Sequence, residues 1–238
     1  MNKDKKLNLL IYDSVNKILL KNNILAPKLL SENYLKNFIE IQDFGDQTIF
    51  SLLKKNKINK FSIFRQIIKL LIKLQSIRER KIKDFKNKNY KIPTYHPKIL
   101  LEEARLFLDW YVVKKLSKSQ QVVFKKKFIN ILSKLIKKIH LKNDIFVHRD
   151  FHVSNLMMVK KKIGVIDTQD ALIGNKAYDL ASLIDDVRYK TSENFKNKVL
   201  NLYLKSQKKN YIKHFKNDFE IISVLRNLKI IGIFTRLA

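Results

Sequence analysis

Apolar residues recur at helical spacing through most of the chain, in stripes separated by few breaks. In residues 4–23, Leu7, Leu10, Ile11, Val15, Ile18 and Leu19 fall on one face, with Asp4 at the cap and Asn22 and Asn23 at the close. That spacing predicts an amphipathic helix. Between 47 and 141 the pattern stays almost wholly helical, in a short segment at 48–55 and longer ones at 61–83, 97–116 and 120–140. Ile67, Ile68, Leu71, Ile72 and Leu74 form one stripe, and Val123, Phe124, Phe128, Ile131, Leu132, Leu135 and Ile136 form another. Both are expected in the core. Residues 87–97, with Pro93 and Pro97 around Tyr95 and a surface His96, read as the one long loop. Two more helices are expected at 192–208 and 218–237.

Short apolar runs of strand length interrupt this pattern. One lies at 38–41, closed by the tetrapeptide Asp-Phe-Gly-Asp at 43–46, which reads as a glycine turn into the next helix. Three more lie at 145–147, 156–159 and 163–166, the last two as a hairpin turning at Lys161 and Lys162. Gly174 and Asn175 read as a turn, and a helix opens at Ala177.

Within 146–170 the strands frame His148, Asp150, His152, Asn155, Asp167 and Asp170. Asp150 and Asn155 stand at a D-x-x-x-x-N spacing on a loop, and Asp167 follows the second hairpin strand. Phosphoryl transfer needs a carboxylate to orient a hydroxyl and accept its proton, and hard oxygen ligands to hold Mg²⁺ against nucleotide phosphates. This stretch supplies both. A metal site of His148 and His152 competes with that reading but lacks a third ligand. Asp179, on the first turn of the following helix, is positioned to brace the loop around His148. Glu102, Glu103, Asp109 and Trp110 cluster acids and the single Trp, and Glu103 and Trp110 recur on one helical face, as a sugar-binding lining would.

Composition narrows the class. A hydrophobic content of 45% with 11% aromatics argues for a folded chain, and only four Gly and three Pro favour long helices over loops. The expected fold is α+β and mostly helical. A formal charge of +29 would suit nucleic acid or an anionic surface, yet of the 50 basic residues eight are Arg and 42 are Lys, spread along nearly every helix. That distribution argues for a solvated surface and against a nucleic-acid or membrane partner. Without Cys, disulfides and thiolate metal sites are excluded. No apolar run reaches membrane-spanning length and Met1 leads into no signal-peptide core, so a cytoplasmic protein is expected.

The runs HRDFHVSN, IGVIDTQD and AYDLASLIDD, in that order, resemble the aminoglycoside phosphotransferase and choline kinase superfamily. Gln169 with Asp170, GNKAYDLASLIDD, RLFLDWYV and the closing RNLKIIGIFTRL are similar to the bacterial anomeric kinases of N-acetylmuramate and N-acetylglucosamine. The resemblance implies a protein-kinase-like fold that uses ATP and Mg²⁺ to phosphorylate a small-molecule hydroxyl. It implies Asp150 as catalytic base, Asn155 and Asp167 as metal and nucleotide ligands, His148 and Arg149 as loop-shaping residues and His152 beside Asp150. Gln169, Asp170, Glu103 and Trp110 are then candidates for acceptor contact, and Asp179 for the brace. The glycine loop and lysine strand usual to such kinases are not recognisable. Residues 1–46 are therefore expected to be a remnant of the nucleotide-binding lobe, either a fragment or a reduced form, and residues 47–238 the helical lobe that carries the loop. A non-catalytic binding protein is the alternative that this departure raises.

Overall fold

A computed structural model describes residues 2–238. In chain order the elements are α1 (Asn2–Lys21), β1 (Leu29–Asn33), β2 (Phe38–Ile41), α2 (Ile49–Lys54), α3 (Lys60–Gln75), β3 (Lys81–Lys83) and β4 (Asn89–Lys91). Then come α4 (Pro97–Leu106), a π-helical turn (Phe107–Val112), α5 (Val113–Lys115), α6 (Lys118–Ile136) and β5 (Asn143–Val147). A 3-10 turn (Val153–Asn155), β6 (Leu156–Val159), β7 (Lys162–Val165), β8 (Leu172–Asn175), α7 (Tyr178–Ile184), α8 (Glu193–Leu204) and α9 (Lys209–Leu237) complete the chain. The α+β, mostly helical expectation holds, and among the described residues no helix is long and apolar enough to cross a membrane.

Side-chain caps start the helices where the stripes begin. Thr48 accepts from the Ser51 amide at 3.0 Å, Asn59 from Ser62 at 2.9 Å, and Ser117 forms a capping box with Gln120. The strands pair as β1–β2, β3–β4, β5–β8 and β6–β7, all antiparallel. The β6–β7 hairpin turns at Lys160 and Lys161, both at positive φ, one residue earlier than expected. The β1–β2 pair leads through Gly45, at φ 72, into α2, as the Asp43–Asp46 turn predicted.

Five expectations are corrected. Helix α1 contains Asp4 in place of starting at it. The helix expected over 61–83 ends at Gln75, where the Ser76 hydroxyl donates to the Lys73 carbonyl at 2.7 Å; β3 and β4 follow, closed by Asp84, whose carboxylate accepts from the amides of Lys86 and Lys88 at 2.8 and 3.0 Å. Three of the eleven residues of the expected loop at 87–97, Asn89–Lys91, are therefore strand. Gly174 and Asn175 lie in β8, not in a turn; a Cβ on Gly174 would come within 3.2 Å of Val147, and β5 packs into that space. The last helix starts nine residues before Asp218. Buried in mid-helix, Asp218 accepts from the His140 and Leu141 amides and from Asn175, so it ties α9 to the start of β5.

The stripe on α6 is the fifth. Leu132 is buried, but Val123 is 57% and Ile131 61% exposed. Phe124 and Phe128 stack with Phe107 and Tyr111 in a ladder against the π-helical turn, leaving the outer part of the stripe in solvent.

One apolar cluster joins the elements, from Val15, Ile18 and Leu19 on α1 through Ile67 and Leu71 on α3 to Phe146 on β5 and Tyr203 on α8. Helix α9 crosses it at Gly232, where an added Cβ would lie 2.3 Å from the Leu106 carbonyl carbon. That close approach brings Arg226 and Lys229 of α9 toward the loop after β5. Gly232→Ala should gain about 1 kcal/mol of helix propensity but lose about 1–3 kcal/mol to overpacking against a backbone that cannot yield. The net is a lower denaturation midpoint; an unchanged midpoint would mean that the two helices part freely.

Candidate active site

The loop leaving β5 is built on Asp179. This carboxylate, 1% exposed at the start of α7, accepts from the His148 amide at 2.8 Å and the Arg149 amide at 2.9 Å. It holds Arg149 at φ 74, a backbone shape that non-glycine residues adopt only under constraint. Burial pushes the Asp179 carboxyl up to about 6, against the opposing pull of His148 and the two amides. The buried His148 ring places Nε2 3.0 Å from the Ile166 carbonyl oxygen, joining this loop to the end of the β6–β7 hairpin. The bracing geometry expected of Asp179 is present.

Asp150 stands at the centre. Its carbonyl accepts from the Asn155 amide at 3.0 Å and from the His152 N–H at 3.0 Å, which closes the loop on itself. Burial raises its carboxyl, but the positive charges of Lys229 and Arg226, with His148 and His152 beside them, outweigh burial and hold it below the ordinary carboxylate range. It is an anion at neutral pH. His152, 5% exposed, is pushed down to about 4, by burial first and then by the charge of Arg188, so its ring is neutral.

Asn155 and Asp167 face one another across the ends of the hairpin. Asn155 Nδ2 lies 3.3 Å from Asp167 Oδ2, and Gln169 donates to Asp167 Oδ1 at 2.8 Å. With its amide nitrogen engaged, Asn155 keeps an Oδ1 that accepts no hydrogen bond among the described residues. One amide oxygen and one carboxylate are hard donors suited to a small divalent cation, which takes its remaining ligands from water or phosphate. No group of three His, Asp or Glu converges on a metal position among the described residues, and His148 is turned to Ile166.

These two residues floor a cleft of about 750 Å³. Leu9, Pro27, Ile39, Ile41, Phe44, Met157 and Ile166 give it apolar walls, and Tyr12, Gln42, Asp43 and Gln169 add polar edges. Its size and lining suit a small organic ligand.

A buried ionic cluster lies beside Asp150 through Lys229. Glu103 is paired with Arg149, accepts from Lys229 at 3.0 Å, and takes the Tyr95 hydroxyl. Burial raises the Glu103 carboxyl, but Lys229 and Arg149 reverse that and hold it low. Arg149 reaches Asp170 at 3.6 Å, and Arg226 donates to Ser182 at 2.7 Å while lying over the Tyr178 ring. His148, Arg149, Asp150, His152, Asn155, Asp167, Gln169 and Asp170 thus gather as expected, and Glu103 joins them through Arg149. Trp110 does not. It sits in the π-helical turn, which breaks the register it would need to share a face with Glu103, and it packs under Arg236, 39% exposed. His96 is the exposed cap of α4. Sequence reasoning missed Tyr12, Asn16, Thr168, Arg226 and Lys229; none stands in a distinctive spacing.

Residues 19–211 match the family described as the phosphotransferase enzyme family. The chain is 29% identical over 225 residues to an N-acetylmuramate/N-acetylglucosamine kinase of Neisseria meningitidis serogroup B, covering 89% of this chain and 63% of that protein. It is 28% identical over 218 residues to the kinase of the same name from Pseudomonas aeruginosa, covering 89% of this chain and 61% of that one. The chain spans about six-tenths of the length of these curated relatives. Among solved structures, the gentamicin complex of APH(2'')-IIa superposes with a TM-score of 0.62 at 14% identity, over 98% of this chain and 81% of that one. An ethanolamine kinase of Plasmodium vivax does so with a TM-score of 0.60 at 16% identity, over 96% and 65%. These likenesses establish a shared fold.

Proposed function

The chain belongs to the phosphotransferase enzyme family, and from that premise we propose that it transfers the terminal phosphoryl group of ATP to a sugar hydroxyl, the anomeric hydroxyl of N-acetylmuramate or N-acetylglucosamine. The observation that carries the reading is the ionised Asp150, bonded through its carbonyl to the cleft residue Asn155 and linked through Lys229 to the cluster around Glu103 and Arg149. The cleft would hold the nucleotide, with Ile41, Phe44, Met157 and Ile166 as apolar walls for a base and Asp167 on the floor. In this reading residues 1–46 furnish the nucleotide-facing wall, residues 47–238 the helical lobe, and the protein works in the cytoplasm.

Asn155 and Asp167 hold Mg²⁺ in this assignment. There, such an ion would supply positive charge against the charge that develops on the phosphates. Asp150 orients the acceptor hydroxyl and takes its proton as the oxygen–phosphorus bond forms and ADP leaves; the proton then passes to solvent. Its depressed pKa suits this role, since late proton transfer needs an anion poised to accept a hydrogen bond. Asp179 and His148 keep the loop shaped, and Arg149 turns from the loop to Glu103 and Asp170, where the acceptor docks. The acceptor side offers both signs of charge, which favours a polar sugar over an apolar alcohol. The likeness to kinases of both amino sugars supports the choice of substrate.

Incubation with ATP, Mg²⁺ and each amino sugar should yield ADP and an acid-labile sugar 1-phosphate by ³¹P NMR. Mg²⁺-ATP binding without turnover on either sugar would favour a non-catalytic binding role, and no nucleotide binding would sink the assignment.

A further inference from the structure

Helix α1 reaches the loop that carries Asp167 through one buried side-chain bond. The Thr168 hydroxyl donates to Asn16 Oδ1 at 2.6 Å, and Asn16 Nδ2 donates onward to the Pro27 carbonyl at 3.1 Å. Thr168 has no exposed surface and Asn16 has 3%, so water does not compete for either group. Thr168 immediately follows Asp167, whose backbone sits at φ 61, a conformation that a side-chain-bearing residue holds only where its surroundings fix it. The other side-chain bonds to Asp167, from Gln169 and Asn155, are exposed ones. Beside the Ala171 N–H that the Thr168 carbonyl accepts at 3.1 Å, the side-chain bond fixing this segment from the core side is the one that Asn16 makes.

We propose that Asn16 and Thr168 are positioning residues that fix the Asp167 carboxylate for its divalent cation, so that α1 sets the metal affinity of the nucleotide cleft. The inference rests on the reading of Asp167 as a metal ligand. Without the hydroxyl, the strained segment at 167–168 keeps only the Ala171 N–H on the Thr168 carbonyl and the exposed bonds from Gln169 and Asn155, so the carboxylate is held less firmly and the cation must order it at its own expense. Hydrogen bonds that support a metal ligand typically change metal affinity by about 10–100-fold. A bond that served stability alone would leave that affinity unchanged.

The test uses Mn²⁺ as the probe, titrated into the full chain with saturating ADP and followed by EPR, with melting temperatures recorded for every variant. The wild type should bind the ion. Thr168→Val, which keeps the shape and removes the hydroxyl, should weaken Mn²⁺ binding by about 10-fold or more, and Thr168→Ser should restore it. Asn16→Ala, which removes the acceptor from the helix side, should match Thr168→Val and carries the test if the valine variant does not fold. Equal Mn²⁺ affinity in the wild type and both hydrogen-bond variants would overturn the proposal, as would a serine variant as weak as the valine one. No Mn²⁺ binding by the wild type with ADP present would instead remove Asp167 as a metal ligand, and with it the assignment of the cleft.

Discussion

Asp150→Asn is expected to lower kcat by about 10²–10⁴-fold, the range that a positioned base contributes, while nucleotide binding stays within a few-fold of wild type. The amide keeps the shape of the side chain and still accepts a hydrogen bond, but it does not take a proton and carries no charge. The Asp150 carboxylate lies under the field of Lys229 and Arg226 first of all, and the substitution leaves those two cations without their central anion. A second effect follows from that imbalance. The cleft floor becomes more positive, so Mg²⁺-ADP, which carries net negative charge, should bind as well as before or slightly better. The comparison needs steady-state rates on an amino sugar and calorimetric binding of Mg²⁺-ADP to both proteins. Turnover within tenfold of wild type would remove Asp150 as the base. Loss of nucleotide binding in parallel with rate would mean that the residue acts through the loop's shape.

The loop was readable in the sequence because its parts are neighbours along the chain. His148 to Asp170 spans one strand, one turn and one hairpin, and the alternation of short apolar runs with single polar residues marks each strand end. Asp179 was readable for the same reason, one turn into the next helix. Partners brought in by tertiary packing were not. Lys229 is one of 42 Lys, and only the crossing of α9 over Leu106 at Gly232 turns it toward Glu103. Asn16 is one polar residue in an amphipathic helix, and its bond to Thr168 joins residues 152 apart in the chain. The stripe on α6 failed differently. Periodicity records which face a helix would bury, not what is there to bury it, and Ile131 and Val123 remain exposed because α6 lies at the edge. At 76–91 the alternation of Lys with single apolar residues was too short to compete with the helical stripe before it. The β3–β4 hairpin rests instead on the turn that Asp84 makes with the Lys86 and Lys88 amides.

Asp179→Asn should nearly abolish turnover without contact to any reactant, and pH identifies why. In the wild type both carboxylate oxygens accept, one from His148 and one from Arg149. An asparagine has one acceptor oxygen, and its amide nitrogen would point a donor at a backbone donor in a buried site. Leaving a buried N–H unpaired costs about 1–3 kcal/mol, and the loop at Arg149, already at positive φ, is the part free to move. A fall in kcat of about 10²-fold is expected if the loop shifts by as little as an ångström. The same oxygens predict an acid limb in the wild-type profile. Burial lifts the Asp179 carboxyl to about 6, whereas His152 is held near 4 and Asp150 below the ordinary range. Activity should therefore fade as pH drops through 6, when a proton on one oxygen opposes the N–H it accepted from. Stability runs the other way. A carboxyl whose folded pKa lies above its ordinary 3.8 favours the folded state most below that value, and the contribution is lost as pH rises through 6. It amounts to on the order of 3 kcal/mol. In Asp179→Asn that component of the pH slope should vanish from denaturant midpoints measured at pH 4.5 and 7.5, and the residual activity should lose its limb near pH 6. An unshifted limb in the variant would assign the titration to another group, and an unchanged slope in the midpoints would mean that Asp179 is hydrated in solution and does not brace the loop as a buried anion.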